Sequence, residues 1–196
     1  AVYFFDAVVA RSGVPWVDNL FAWYPLALIF TMVGVGGVAH AVNLIDGYNG
    51  LASMVAMLML SVLGGVSWML GDMSLTLICF ALVGGTLGFF LWNFPHGRIF
   101  AGDGGAYLWG VSVALVAVLM IHRHPQVSPW FPLLVVIYPV FETLFTIYRR
   151  KFKHSTDPGL PDAKHLHQLV YRRLLSARLP GVVPTANQQT LRNAAT

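Results

Sequence analysis

Long apolar stretches separated by short polar segments make up most of the chain. Roughly 20 residues of α-helix, each rising about 1.5 Å, cross about 30 Å of hydrocarbon. Five stretches approach or reach that length: Tyr24 to Val42, Leu51 to Leu70, Leu75 to Trp92, Ala106 to Ile121 and Trp130 to Tyr148. Because these runs are continuously apolar rather than alternating, helices are favoured over barrel strands. The pattern predicts an all-α fold, a polytopic transmembrane helix bundle with about five membrane helices.

The composition agrees with a membrane protein. Of the 196 residues, 57% are hydrophobic and 10% are charged, and the mean hydropathy is +0.67. A chain of this size cannot hide so much apolar surface in one soluble core. The single cysteine, Cys79, lies inside an apolar run, which excludes a disulfide framework within the chain and favours simple packing.

Polar segments interrupt the apolar pattern at 43–50, 93–105 and 161–167, and each contains a carboxylate beside amides, glycines or imidazoles. Five membrane passes would bring all of them to the same side. Of the 12 lysines and arginines, only Arg11 and Arg123 fall on the opposite side. The positive-inside bias therefore places the polar segments in the cytoplasm. The formal charge of +4 then reflects topology, and no nucleic-acid partner is predicted.

The same pattern divides the chain into segments. We predict an N-terminal loop or cut helix end over 1–25 and the transmembrane bundle over 26–148. A basic cytoplasmic loop over 149–178 carries a His-x-His motif and a short amphipathic helix at the membrane surface. Residues 179–196 are interpreted as a tail or cut linker.

Acidic residues beside glycines are the candidate chemistry of the first two polar segments. Asp46 and Asp103 stand at predicted helix ends, where backbone can approach a phosphate while a carboxylate holds a hard cation. Either residue could instead be a helix cap. His165 and His167 are too close in sequence to chelate one metal from a helix, so hydrogen bonding to phosphate or sugar suits them better than zinc. Ordinary loop histidines remain the alternative.

Two groups of glycines lie inside the predicted membrane helices, at positions 34, 36 and 37 and at positions 84, 85 and 88. Small residues let neighbouring helices approach closely in a bilayer. We therefore expect both groups to mark close contacts between helices rather than a nucleotide-binding loop.

The ordered motifs resemble those of the polyprenyl-phosphate N-acetylhexosamine-1-phosphate transferases, the glycosyltransferase 4 type. The match extends from about Leu26 to Arg173. The motifs are Asn43-x-x-Asp46-Gly-x-x-Gly50-Leu51-Ala52, Asn93-x-Pro95, Ile99-Phe100-x-Gly102-Asp103-Gly104-Gly105, Pro139-x-x-Glu142-Thr143 and Asp162-x-x-His165-Leu166-His167. The resemblance implies an enzyme of the bacterial inner membrane that moves a sugar 1-phosphate from a UDP-N-acetylhexosamine to polyprenyl phosphate, normally undecaprenyl phosphate, releasing UMP.

The resemblance also implies roles for individual residues. Asp103 and Asp46 would hold magnesium, with manganese as an alternative. His165 and His167 would join these acids as catalytic residues that contact the phosphates or sugar of the donor. The substrate-binding residues would be Asn43, Asn93, Arg98, Gly102, Gly104, Glu142, Arg172 and Arg173.

The chain departs from the family pattern in ways that leave alternatives open. The family usually carries adjacent aspartates in its N-terminal part, and this sequence contains no Asp-Asp pair. We therefore expect a C-terminal portion of a longer protein, which by itself could be inactive or serve as a silent binding member. Glu142 could serve function or pair with Arg149. A transporter or channel fragment with an acidic ion path is the alternative from another class, and a homo-oligomer is also left open.

Overall fold

A computed structural model describes residues 8–149 of the chain. Every regular element in this part is an α-helix, which confirms the predicted fold class. The helices are α1 (Pro15–Phe21), α2 (Tyr24–Ile45), α3 (Leu51–Met69), α4 (Met73–Asn93), α5 (Gly102–Arg123), α6 (Trp130–Val135) and α7 (Ile137–Arg149). The segment 1–25, predicted as an N-terminal loop or cut helix end, thus contains the short helix α1 and the first two residues of α2.

Helices α2 to α5 are long and apolar enough to cross a membrane. They contain 22, 19, 21 and 22 residues, and each includes an 18-residue stretch with a mean hydropathy of at least 1.8. At about 1.5 Å per residue each spans roughly the thickness of the hydrocarbon layer. Their bounds match the first four predicted spans to within a turn at most ends. The chain is therefore a multi-pass membrane protein.

The fifth predicted span is not one continuous helix. Its residues form α6 and α7, which meet at Val136, where the backbone leaves helical geometry at φ −91° and ψ 10°. Pro139 explains the break, because it has no N–H to donate and its ring crowds the carbonyl four residues earlier. The segment from Trp130 onward therefore differs from the single predicted membrane helix.

The core lies between the long helices. The most extensive contacts join α3 to α4 and α2 to α5, while α7 packs on α2. The largest fully buried apolar side chains are Ile45, Leu60, Leu63, Leu75, Val113 and Met120. Much of the outer surface of α2 and α4 is apolar and exposed, as expected for helix faces in contact with lipid.

Close helix approach depends on glycines other than the predicted ones. A Cβ atom on Gly110 of α5 would lie 2.5 Å from the Ala39 Cα of α2, and one on Gly64 would lie 2.8 Å from the Cys79 Cβ. By contrast, no described atom lies within 4 Å of a Cβ built on any glycine of the two predicted groups. The expectation that those groups mark helix contacts is therefore wrong for the described part of the chain.

Hydrogen bonds and ion pairs fix which ends of the helices lie together. At one end of the bundle, Asp72 of the α3–α4 turn contacts the end of α5. Its Oδ2 lies 3.3 Å from the guanidinium of Arg123, the last residue of α5, and 3.1 Å from Nε2 of His124, the next residue. Arg11 donates to the Pro125 and Val127 carbonyls at this same end. The α2–α3 and α4–α5 loops meet at the opposite end. This arrangement confirms the predicted threading for the first two polar segments, and the third lies outside the described residues.

Candidate functional site

The site is built where two helix ends and two loops meet. The α2–α3 loop follows Ile45 and the α4–α5 loop follows Asn93. Across them, Asn43 Nδ2 of the last turn of α2 donates to Asp103 Oδ1 of the first turn of α5 at 3.1 Å. The two residues are 60 positions apart in sequence. The structure thus brings together residues that the sequence motifs had placed in one site.

Asp46 lies immediately after α2, outside the membrane-crossing helix, and is half-buried. Burial raises the pKa of its carboxyl group, and the nearby Asp103 carboxylate raises it further, to about 6. Burial acts because the charged form loses hydration, and Asp103 acts because like charges disfavour each other. Asp46 and Asp103 therefore share one electrostatic environment.

Asp103 is exposed and occupies the first turn of α5. The unpaired N–H groups of a helix N-terminus favour a negative charge at this position. On either side of it, Gly102 has φ +60°, and neither Gly102 nor Gly104 has a neighbouring atom within 4 Å of a built Cβ. The backbone beside Asp103 is therefore open to a ligand, as expected for these two predicted residues.

A small cavity lies beside Asp46, between the two loops. Its lining residues are Asp46, Gly47, Tyr48, Asn49, Phe89, Asn93, Phe100, Ala101 and Gly102. From the sequence, no role was assigned to Tyr48, Phe89 and Phe100, because an aromatic residue near the end of a membrane helix has the same pattern whether it faces lipid or a cavity. The cavity combines polar backbone with aromatic rings.

Asn93 is the last residue of α4 and is 6% exposed. Its Oδ1 accepts the Gly50 N–H at 2.5 Å, and its Nδ2 donates to the Ile99 carbonyl at 2.7 Å. Both ends of the amide are thus hydrogen bonded to backbone of the two loops.

Of the remaining predicted residues, Arg98 and Glu142 are described by the structure. Arg98 is exposed, with its guanidinium carbon 5.9 Å from the centroid of the Trp92 ring. Glu142 is 1% exposed on the face of α7 that also buries Pro139 and Arg149. His165, His167, Arg172 and Arg173 lie outside the described residues, and their roles stay predictions.

Comparison with known proteins bears on this arrangement. The sequence matches Glycosyl transferase family 4 over residues 2–121, which include both loops of the site. The chain belongs to this family.

Several curated bacterial members of related name are similar to it. The chain is 29% identical over 172 residues to a Bacillus subtilis protein named "Probable undecaprenyl-phosphate N-acetylglucosaminyl 1-phosphate transferase", a match that covers 87% of this chain and 48% of the relative. It is 34% identical over 148 residues to the phospho-N-acetylmuramoyl-pentapeptide-transferase of Listeria welshimeri, covering 74% and 43%. With the Streptococcus pneumoniae protein of that name it shares 36% identity over 116 residues, covering 59% and 34%. The chain spans less than half the length of each of these relatives.

In this glycosyl transferase family 4 protein, the carboxylate oxygens of Asp46 and Asp103 are ligands of the kind that magnesium prefers. No group of three His, Cys, Asp or Glu side chains that could hold a metal occurs among residues 8–149. Magnesium commonly takes only one or two protein carboxylates and completes its shell with water and substrate phosphates. Burial and the nearby Asp103 carboxylate raise the pKa of Asp46, and a bound dication would offset both by favouring the charged carboxylate. The residues present therefore fit this ion.

Proposed function

We propose that the protein transfers N-acetylhexosamine 1-phosphate from a UDP-N-acetylhexosamine to polyprenyl phosphate, such as undecaprenyl phosphate, and releases UMP. The observation that carries the proposal is the meeting of Asn43, Asp46 and Asp103 at one end of a membrane helix bundle. Family membership and the names of the relatives support it, since both names describe transferases of phosphorylated amino sugars.

The chemistry needs charge neutralisation more than a protein nucleophile. An oxygen of the polyprenyl phosphate attacks the phosphorus that bears the sugar, a P–O bond forms there, and the P–O bond to UMP breaks. The lipid phosphate is itself the nucleophile, so the protein contributes by placing two polyanions in line and by stabilising the developing charge. A site at the end of the bundle allows the lipid phosphate to arrive from the bilayer and the nucleotide from water.

The roles of the described residues follow from their geometry. Asp103 and Asp46 would hold magnesium, which supplies positive charge to the diphosphate when it is bound. Asn43 donates to Asp103 Oδ1, so it fixes the orientation of that carboxylate and leaves the other oxygen available. The open backbone at Gly102 and Gly104 leaves room for phosphate oxygens next to the N-terminus of α5.

Residues beyond the described part complete the proposal. His165 and His167 would contact the donor phosphates or sugar, with Arg172 and Arg173 as anion partners. The excess of basic residues on this side of the predicted topology supports a cytoplasmic site in a bacterial inner membrane. Asp46 and Asp103 lie together at one end rather than spaced along the bundle, which favours chemistry at the membrane surface over an ion path.

The test is a UMP-release assay on membranes that contain the full-length protein, supplied with UDP-N-acetylglucosamine or another UDP-N-acetylhexosamine, undecaprenyl phosphate and magnesium. We expect Asp103→Asn to lower the rate by about 100-fold or more, because a neutral amide cannot replace a metal-binding carboxylate. The matched control is Asp18→Asn, the same change at α1, outside the two loops. Full activity in Asp103→Asn would refute the metal role. The absence of UMP release from the unchanged protein with every such donor would refute the reaction.

A further inference from the structure

Two exposed polar side chains lie about one helical turn from the Asn43–Asp103 hydrogen bond, on the side of the membrane interior. His40 precedes Asn43 by three positions on α2, and Tyr107 follows Asp103 by four positions on α5. Residues three or four positions apart share one face of an α-helix. His40 and Tyr107 therefore continue the helix faces that carry Asn43 and Asp103, each displaced by about 5–6 Å along its helix axis.

Two contacts between α2 and α5 place these side chains at a similar depth. At the loop end, the helices are joined by the hydrogen bond between the amide and the carboxylate. Deeper in the bundle, a Cβ atom on Gly110 of α5 would lie 2.5 Å from Ala39 Cα of α2. His40 falls between the two contacts on α2, and Tyr107 falls between them on α5. Both residues therefore flank the line of contact between the two helices.

Both side chains are exposed although they belong to helices long and apolar enough to cross a membrane. Tyr107 is 39% exposed, and His40 is exposed between the buried residues Ala39 and Ala41. An imidazole and a phenol each offer a hydrogen-bond donor. Polar groups inside a membrane are costly without a polar partner, and they commonly mark the path of a substrate. The outer side of the α2–α5 contact thus offers two donors next to the acidic site.

The position of these donors favours a phosphate that is carried by a lipid. A nucleotide sugar reaches the acidic loops from water, whereas the phosphate of a polyprenyl acceptor is attached to a chain that lies in the bilayer. We propose that the His40 imidazole and the Tyr107 hydroxyl donate hydrogen bonds to the phosphate of the polyprenyl acceptor. The inference deepens the proposed function and rests on it for the identity of the acceptor. Such contacts hold the attacking oxygen next to the diphosphate at Asp103, as the transfer requires.

The first experiment measures binding without turnover. Native mass spectrometry of the purified full-length protein in detergent would compare undecaprenyl phosphate with undecaprenol, which has the same chain but no phosphate. We expect the unchanged protein to bind the phosphate about tenfold more tightly. The double variant His40→Phe, Tyr107→Phe should lose about tenfold in that affinity, as for lost hydrogen bonds to a charged group. Its affinity for undecaprenol should not change, because both substitutions keep an aromatic ring in place.

Each substitution has a matched control. His122→Phe and Tyr24→Phe make the same changes at the opposite end of the bundle, in the last turn of α5 and at the start of α2. Both controls should leave the affinity for undecaprenyl phosphate unchanged. His40→Gln retains an N–H donor and should recover part of the affinity that His40→Phe loses.

The second experiment is the UMP-release assay at varied acceptor and donor concentrations. We expect the double variant to raise the acceptor KM about tenfold and the donor KM less than about twofold. An unchanged affinity for undecaprenyl phosphate in the double variant would overturn the proposal. Equal losses for undecaprenyl phosphate and undecaprenol would also overturn it and would indicate contact with the chain. A raised donor KM with an unchanged acceptor KM would instead assign the two side chains to the nucleotide sugar.

The binding experiment separates this inference from the proposed function. If the unchanged protein releases no UMP yet binds undecaprenyl phosphate through His40 and Tyr107, the inference holds and the reaction is refuted. Excess phosphatidylglycerol should not displace the undecaprenyl phosphate, because a phosphodiester carries less negative charge than a phosphate monoester. Displacement would indicate a general phospholipid site and would overturn the assignment to the acceptor.

Discussion

At the scale of residues, the nearby negative charges of Asp46 and Asp103 lower the stability of the fold but suit the proposed binding of a cation. The carboxyl of Asp46 is half-buried beside a like charge, and burial and then Asp103 raise its pKa to about 6. A group whose pKa rises on folding is more readily ionised in the unfolded chain, so its ionisation opposes folding. Binding sites commonly retain such unfavourable charges because a ligand offsets them.

Because ionisation of Asp46 opposes folding, we predict that Asp46→Asn stabilises the protein when divalent cations are removed. The unfolded pKa is near 3.8 and the folded pKa is about 6, so the contribution of Asp46 to stability is most favourable below pH 3.8 and is lost as pH rises from 3.8 through 6. The shift corresponds to at most about 3 kcal/mol, and solvent screening at the loop reduces it to about 1 kcal/mol. Thermal unfolding in detergent with EDTA should show the variant more stable at pH 8, with the advantage gone at pH 4.

Two outcomes of that measurement are informative. A variant less stable than the unchanged protein at pH 8 would contradict the repulsion between the two acids. Added magnesium should reverse the order, because it stabilises only the protein that retains both carboxylates. The control is Asp18→Asn, whose carboxylate lies outside the two loops and should not respond to magnesium.

Sequence reasoning at this scale identified the acids but not the aromatic lining. Asn43, Asp46 and Asp103 stand out because polar residues beside glycine are rare in an apolar chain. Phe100 belongs to the motif that contains Asp103. A phenylalanine near the end of a membrane helix can face lipid or a cavity, and the sequence does not distinguish the two. The amide of Asn93 was predicted from its motif to bind substrate, and its hydrogen bonds to the Gly50 and Ile99 backbone became visible only in the structure.

At the scale of elements, the distance between α2 and α5 controls the Asn43–Asp103 contact. Gly110 lies two turns after Asp103 on α5 and touches α2 at Ala39, one turn before Asn43. Atoms at this contact belong to the helix backbone, which cannot move aside as a side chain can. The glycine therefore allows the spacing that brings the amide and the carboxylate within hydrogen-bond distance.

This spacing predicts that Gly110→Ala damages both stability and activity. The added Cβ would lie 2.5 Å from Ala39 Cα and 3.1 Å from the Ala39 and Val38 carbonyl oxygens, so the helices must separate. Overpacking of this kind costs about 1–3 kcal/mol. Thermal unfolding in detergent and UMP release should both decline.

Gly88→Ala provides the matched control on α4. No described atom lies within 4 Å of a Cβ at Gly88, and alanine is favoured over glycine in a helix by up to about 1 kcal/mol. This variant should be as stable as the unchanged protein or more so, with activity retained. Equal losses of stability and activity in Gly110→Ala and Gly88→Ala would contradict a specific requirement for the close α2–α5 contact.

Helix existence was predictable from the continuous apolar runs, whereas the internal features of the helices were not. The break at Val136 depends on Pro139, and membrane helices often accommodate proline without breaking. The glycine contacts depend on which face of a helix meets a neighbour. All four long helices, α2 to α5, lack a distinct polar face along most of their length, so periodicity could not tell the packed glycines of α3 and α5 from the glycines of α2 and α4 that face outward.

At the scale of the whole molecule, function requires that both acidic loops open on one side of the membrane. The ion pair of Asp72 with Arg123 and the hydrogen bond of Asn43 with Asp103 lie at opposite ends of the bundle. The alternation of the four long helices therefore settles which loops lie together. The proposed orientation of the bundle relative to the cell rests on the basic residues of the sequence, most of which follow Arg149.

Single cysteines at the two ends test both the threading and the orientation. Cys79 is the only native cysteine and is fully buried, so it should stay silent toward a thiol reagent that does not cross membranes. His96 and His122 are both exposed, the first in the α4–α5 loop and the second in the last turn of α5. We expect His122→Cys to react in intact cells and His96→Cys to react only after permeabilisation, because the proposed orientation places the site on the cytoplasmic side. Reaction of both from one side would contradict the threading. The reverse pattern would preserve the threading but overturn the orientation. The acids would then face away from cytoplasmic nucleotides, and the proposed reaction would be refuted as well.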